Sequence, residues 1–214
     1  MKQFIETNKI FLGLYLGFLL LGAFVIAAYE KGNEILYFNS LHTPFFNSFF
    51  TYITRLAEAP MFLLIMVITI LFSYGKGLVL MANAGIVFCL TAFLKLMVFS
   101  EQVRPSVLFE HTHQLNFVQG VEVLRYNSFP SGHTSSAFGL FFMLSLLLND
   151  KRWSLLFFSL ALLVGISRVY LLEHFFRDVY AGSLVGVMVS AIFYLTFVRS
   201  KFYENISWRD KKLI

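Results

Sequence analysis

The chain has 214 residues, of which 58% are hydrophobic and 14% charged, with 27 phenylalanines and a formal net charge of +5. That balance excludes an ordinary water-soluble domain and indicates an integral membrane protein. The basic excess does not imply nucleic acid, because Lys and Arg gather at the ends of apolar runs, and the lone Cys89 excludes an internal disulfide and a CxxC metal site.

Taken in order, six apolar segments approach the length of a membrane crossing: residues 10–28, 60–73, 78–98, 128–148, 154–172 and 179–198. The first follows Lys2 and Lys9 and is longer than a signal-peptide core, so it is read as a retained helix. The second is short and can begin upstream near Phe50. Between them lies ILYFNSLHTPFFNSFFTYIT, whose mixture of aromatic and polar residues predicts a helix at the headgroup level. Asn83 falls inside the third segment, where a packing hydrogen bond between helices is its expected use. The expected architecture is an all-α bundle of six membrane helices with an interfacial helix. It forms one membrane domain over 1–214, with a first helix at 1–30 and a basic tail at 199–214.

Charge sets the expected orientation. The N-terminus, the second and fourth connections and the C-terminus carry ten basic residues against four acidic, including Lys76, Lys151, Arg152, Arg209 and Lys211. The other side carries seven basic and eight acidic residues. Lys/Arg excess marks the cytoplasmic face, so both termini are expected there. The first, third and fifth connections then face outward, into the periplasm if this is a bacterial inner-membrane protein.

Polar chemistry concentrates on that outer side. In NSFPSGHTSSA, residues 127–137, Pro130 suits the first turn of the helix that follows. Ser131 and Gly132 would then present backbone N–H groups at a helix's positive end, where a phosphate-like anion binds well. His133 adds a group that titrates near neutral pH. In the fifth connection, His174 and Asp178 stand four residues apart, a spacing that puts both on one face of a helix. A carboxylate on one ring nitrogen would leave the other free to attack. Arg168 offers two-pronged donors for phosphate. Glu173 and Arg177 beside that pair read as a surface ion pair. In the third connection, His111 and His113 lack a third metal ligand and read as a solvated loop, and Arg125 has either a surface role or a contact with a second phosphate.

Ser167-Arg168, five residues, His174, three residues, Asp178 resembles the third signature of the type-2 phosphatidic acid phosphatase family; PSGH at 130–133 resembles the second, and Arg104-Pro105 the end of the first. The resemblance covers residues 38–197 and extends to the soluble vanadium haloperoxidases, which share the anion pocket. It implies that His174 is a nucleophile forming a phosphohistidine and that Asp178 orients it. His133 would protonate the leaving oxygen and then activate water. Arg104, Arg168, Ser131 and the Gly132 N–H would hold the phosphate, with no metal or other cofactor. The family's usual lysine, seven positions before the arginine, is here Met97, and Lys95 lies nine positions before Arg104. In a regular helix nine residues is two and a half turns, which would point Lys95 away. Either VFSEQV is unwound or bulged, or another cation replaces the lysine.

The expected activity is hydrolysis of a lipid phosphomonoester or pyrophosphate entering sideways from the bilayer. Two alternatives stay open: a lipid phosphotransferase using the same histidine, and a non-catalytic lipid carrier of the same fold.

Overall fold

The computed structural model describes residues 2–148, 150 and 152–212; Lys151, counted above among the cytoplasmic basic residues, lies outside them. Among the described residues there are helices and turns but no strand. In chain order they are α1 (Lys2–Thr7), α2 (Lys9–Ala28), α3 (Asn33–Ser40), α4 (Pro44–Thr54), α5 (Ala59–Phe72), α6 (Tyr74–Phe93), α7 (Pro105–Leu108), α8 (Gly132–Leu147), α9 (Trp153–Tyr170), α10 (Phe176–Phe193) and α11 (Lys201–Glu204). π-turns at Leu94–Val98 and Tyr194–Val198 extend α6 and α10.

Each of the six expected segments is helical, although the count of crossings is approximate. Four helices are long and apolar enough to span a bilayer: Lys9–Ala28, Tyr74–Val98, Trp153–Tyr170 and Phe176–Val198. The short second segment is explained by α4 and α5, which together pass the same test but bend by 54° across the break near Glu58. Pro60 in the first turn of α5 fits such a restart, since that position needs no N–H. The aromatic stretch expected at the interface therefore divides between α3 and the outer arm of a bent span, with Phe45 and Tyr52 of α4 exposed.

The sixteen residues of α8 are shorter than a usual crossing, and this helix occupies the centre. Its residues Ala137 to Met143 are all buried, as expected for a helix apolar on every face. Phe138 and Phe142 pack with Phe11 of α2 and Phe158 of α9. Against α10 the contact is much closer. A Cβ on Gly182 would lie 2.6 Å from the Ser131 carbonyl oxygen, and one on Gly186 would lie 2.4 Å from that of Ser135. Small residues spaced by four on both helices (Ser131, Ser135, Gly139 against Gly182, Gly186, Ser190) let the backbones meet. Gly139 O, at the end of that seam, accepts hydrogen bonds from Asn83 Nδ2 and Ser190 Oγ, both at 3.1 Å. Asn83 is thus the interhelical glue anticipated for it.

At the opposite end of α6 the tail folds back. Tyr74 N–H donates to Lys211 O, Gly75 N–H to Arg209 O and Ser73 Oγ to Arg209 O. These bonds satisfy donors at the start of α6 that no helical carbonyl can reach.

Candidate active site

Four chain segments converge at one end of the bundle: the π-turn and coil after α6, the coil entering α8, the last turn of α9 and the turn from α9 into α10. Two guanidinium groups meet there. Arg104 follows the π-turn, is 3% exposed, and donates from Nε to Tyr126 O at 3.0 Å. Its Nη1 reaches Glu173 Oε2 at 2.5 Å and the Glu173 carbonyl oxygen at 2.9 Å. Arg168, in the last turn of α9, places Nη2 at 3.3 Å from the same Glu173 Oε2 and donates from Nη1 to Thr54 Oγ1 at 2.7 Å. Two cations separated by 64 positions therefore point at a single anionic oxygen.

Glu173 is consequently no surface residue. The expected exposed ion pair with Arg177 gives way to a carboxylate that is 3% exposed and held by two buried arginines. Burial pushes its carboxyl above the usual range, opposed by Arg168, Arg104 and Lys95. Arg177 instead sits half-buried beside Gln102 and Asp178.

His174 and Asp178 are paired as expected, but for a different reason. His174 precedes α10 rather than lying on it. Asp178, in the helix's first turn, folds back so that Oδ2 accepts the Phe175 N–H at 3.1 Å, the return half of a capping box. That places Oδ2 at 3.5 Å from His174 Nδ1. Ser128 Oγ donates to the same carboxylate oxygen at 2.5 Å and stands 3.5 Å from Nδ1. All three side chains are buried to within 2%. Burial, then repulsion from Arg104, Arg168, Lys95 and His133, holds the His174 imidazole well below its ordinary pKa.

The entry to α8 departs from expectation. The helix begins at Gly132 with Ser131 as its N-cap, and Pro130, after a cis bond to Phe129, stands outside the first turn. The Ser131 N–H donates to Asp178 O at 3.0 Å, and the Ser131 hydroxyl accepts from Thr134. Of the two amides assigned to anion binding, Ser131's is thus engaged in joining α8 to α10. The Gly132 amide remains at the helix's positive end, beside His133.

Lys95 reaches the cluster because the helix ends just after it: VFSEQV is unwound from Phe99 onward, following a π-turn at Leu94–Val98. In the π-turn Phe99 N–H bonds Leu94 O at 2.8 Å, five residues back, and the helix ends there. Lys95 Nζ comes within 3.9 Å of where a Cβ on Gly132 would be, whereas Met97, at the family's usual lysine position, is 75% exposed. Asn127, with its amide nitrogen turned toward the π-turn, donates to Ser100 O and Lys95 O and ties the PSGH loop to it.

Two spaces meet at His133. A groove of about 940 Å³ runs between α5 and α6, lined by Phe62, Leu63, Met66, Ala84, Gly85 and Phe88, and ends at Lys95, Arg104, Gly132 and His133. On the other side, a cleft of about 730 Å³ carries Arg55, Glu58, Glu122, Arg168 and Glu173. The third connection contributes to its rim; there Arg125 is committed to an exposed two-bond pair with Glu110. His111 and His113 belong to no ligand cluster, and no group of three metal-ligating side chains occurs among the described residues.

The all-helical membrane bundle that carries this cluster is an architecture known proteins share. Residues 74–202 match the PAP2 superfamily, and the chain belongs to that family. Phosphatidylglycerophosphatase B of Bacillus subtilis is 30% identical over 194 residues, covering 82% of this chain and 89% of that protein. Lipid phosphate phosphatase 1 of Arabidopsis thaliana is 40% identical over 93 residues, but the match spans only 28% of its length. The crystal structure of Aquifex aeolicus LpxE superposes with a TM-score of 0.67 at 26% identity, covering 78% of this chain and 96% of that one.

Proposed function

We propose that this protein is a membrane phosphatase that hydrolyses a lipid phosphomonoester or lipid pyrophosphate by way of a phosphohistidine. The observation that carries the reading is the convergence of Arg104 and Arg168 on one anionic oxygen next to a buried His174 whose Nδ1 faces Asp178. That arrangement leaves Nε2 as the nucleophile. Its lone pair attacks phosphorus while the bond to the lipid oxygen breaks, and His133 gives its proton to that leaving oxygen. The imidazole, now carrying positive charge, is stabilised by Asp178. In the second step His133 takes a proton from water, the water oxygen attacks phosphorus, the N–P bond breaks and phosphate leaves. Arg104, Arg168, Lys95 and the Gly132 amide hold the phosphoryl oxygens, each fixed donor contributing on the order of 3 kcal/mol in the transition state.

The groove between α5 and α6 supports a lipid as substrate. Its apolar wall reaches from the bilayer side of the helices to His133, so an acyl or prenyl tail can lie there while the phosphate meets the cations. Orientation follows from charge. The basic tail clasps the end of α6 remote from the site, which supports cytoplasmic termini and a site at the outer leaflet.

The test is phosphate release by purified protein from a panel that includes phosphatidic acid, phosphatidylglycerol phosphate and a prenyl pyrophosphate. Release without an added alcohol acceptor, lost at least about a thousandfold in His174→Ala and unaffected by excess chelator, is expected. Full activity in His174→Ala would overturn the phosphohistidine. Loss in chelator that a divalent ion restores would overturn metal independence.

A further inference from the structure

We infer that Glu173 is a specificity-determining residue: its carboxylate occupies the phosphoryl position between Arg104 and Arg168, and only a more highly charged phosphate displaces it. The inference rests on the reading of those arginines as phosphate ligands. Both guanidiniums already share Oε2, and Arg104 is anchored to the Glu173 carbonyl as well. The carboxylate cannot be explained as a solvated neighbour, because it is 3% exposed and sits in the cleft that His133 and Arg168 line. Nor can it stay in place during turnover, since a phosphoryl oxygen close enough to bond both arginines would fall on Oε2.

Two buried arginines without a counter-ion would be costly to hold together. Glu173 meets that cost while the site awaits substrate and keeps both forks aimed at one point. Displacement then becomes a comparison of charges. A terminal phosphate or pyrophosphate carries close to two negative charges and makes several charge-assisted bonds to two guanidiniums. A phosphodiester carries one charge, the same as the carboxylate it would have to replace. Glu173 thereby keeps the abundant diester headgroups of a bilayer from occupying cations that face them through an open groove.

The experiment is direct binding, read by calorimetry on full-length protein in detergent, so that it does not depend on turnover. Sulfate serves as the dianion, methyl sulfate as the monoanion, and orthovanadate, largely a monoanion near neutral pH, as a phosphoryl-shaped probe. In Glu173→Gln, sulfate and vanadate are expected to bind roughly tenfold tighter or more, because a competing internal anion is gone. Methyl sulfate should gain more than sulfate, so the preference for the dianion shrinks. Unchanged or weaker binding in a variant whose thermal unfolding matches wild type would overturn the inference and make Glu173 a scaffold for the arginines. If Glu173→Gln does not fold, the wild type still decides the matter: sulfate at least about tenfold tighter than methyl sulfate is expected, and equal affinity overturns it. Failure of both proteins to bind any of these anions would instead sink the phosphate-site reading itself.

Discussion

Two donors reach Asp178 Oδ2, the Ser128 hydroxyl and the Phe175 amide, and the His174 ring lies third, its Nδ1 3.5 Å away. The first two fix the carboxylate so that the third meets it in one tautomer. Ser128 is therefore a positioning residue, acting through Asp178 and not on substrate. Replacing it with alanine leaves the phosphate ligands untouched and frees Asp178 to rotate. We expect kcat to fall about tenfold with KM nearly unchanged, and threonine to restore more activity than alanine. A rise in KM with kcat preserved would show that Ser128 touches the substrate. The motifs RP, PSGH and SR…H…D pointed to the histidines, Asp178 and both arginines in the sequence alone. They could not expose Ser128, which owes its role to a fold-back of Asp178 across 50 positions. The expected exposure of Glu173 fails for a related reason: adjacency to His174 says nothing about burial, which depends on where Arg104 arrives from a distant segment.

At the scale of elements, the seam between α8 and α10 decides whether the site exists. Ser131 N–H to Asp178 O joins the two helix entries only if the backbones approach closely, and that approach uses Gly182 and Gly186. A methyl group at Gly186 would meet backbone at 2.4 and 2.8 Å, which no side-chain rotation relieves. Gly186→Ala is expected to cost about 1–3 kcal/mol of stability, read as a lower unfolding temperature in detergent, with activity lost in parallel. Gly13→Ala in α2, where nothing lies within 4 Å, is the control and should be neutral or slightly stabilising. Equal tolerance of the two changes would refute the seam. Small residues spaced by four are visible in GSLVG, yet periodicity does not say which helix they face. The same limit applied to Lys95. Counting along a regular helix points Lys95 away from Arg104; the helix instead ends in a π-turn and the chain is unwound from Phe99 to Val103, which composition does not mark.

The whole molecule arranges an apolar approach and a polar exit around one histidine. If the groove between α5 and α6 holds the substrate's tail, the tail's length must matter to turnover, and blocking the groove must matter only to long tails. Gly85 lines that groove on α6, and a Cβ there would meet nothing within 4 Å. A large side chain can therefore be accepted without disturbing helix packing. Gly85→Phe should fill part of the space that a chain of many methylenes would occupy, each worth about 0.8 kcal/mol when buried. We expect kcat/KM for a long-chain lipid phosphate to drop at least about tenfold, with activity on a short-chain, water-soluble phosphate unchanged. The site's cations and histidines lie beyond the groove's inner end and keep their geometry, so an equal loss on both substrates would mean that the tail lies elsewhere. A substrate could then reach His133 only through the cleft beneath Arg55 and Glu122, and a polar headgroup, not the hydrocarbon, would set the enzyme's preference.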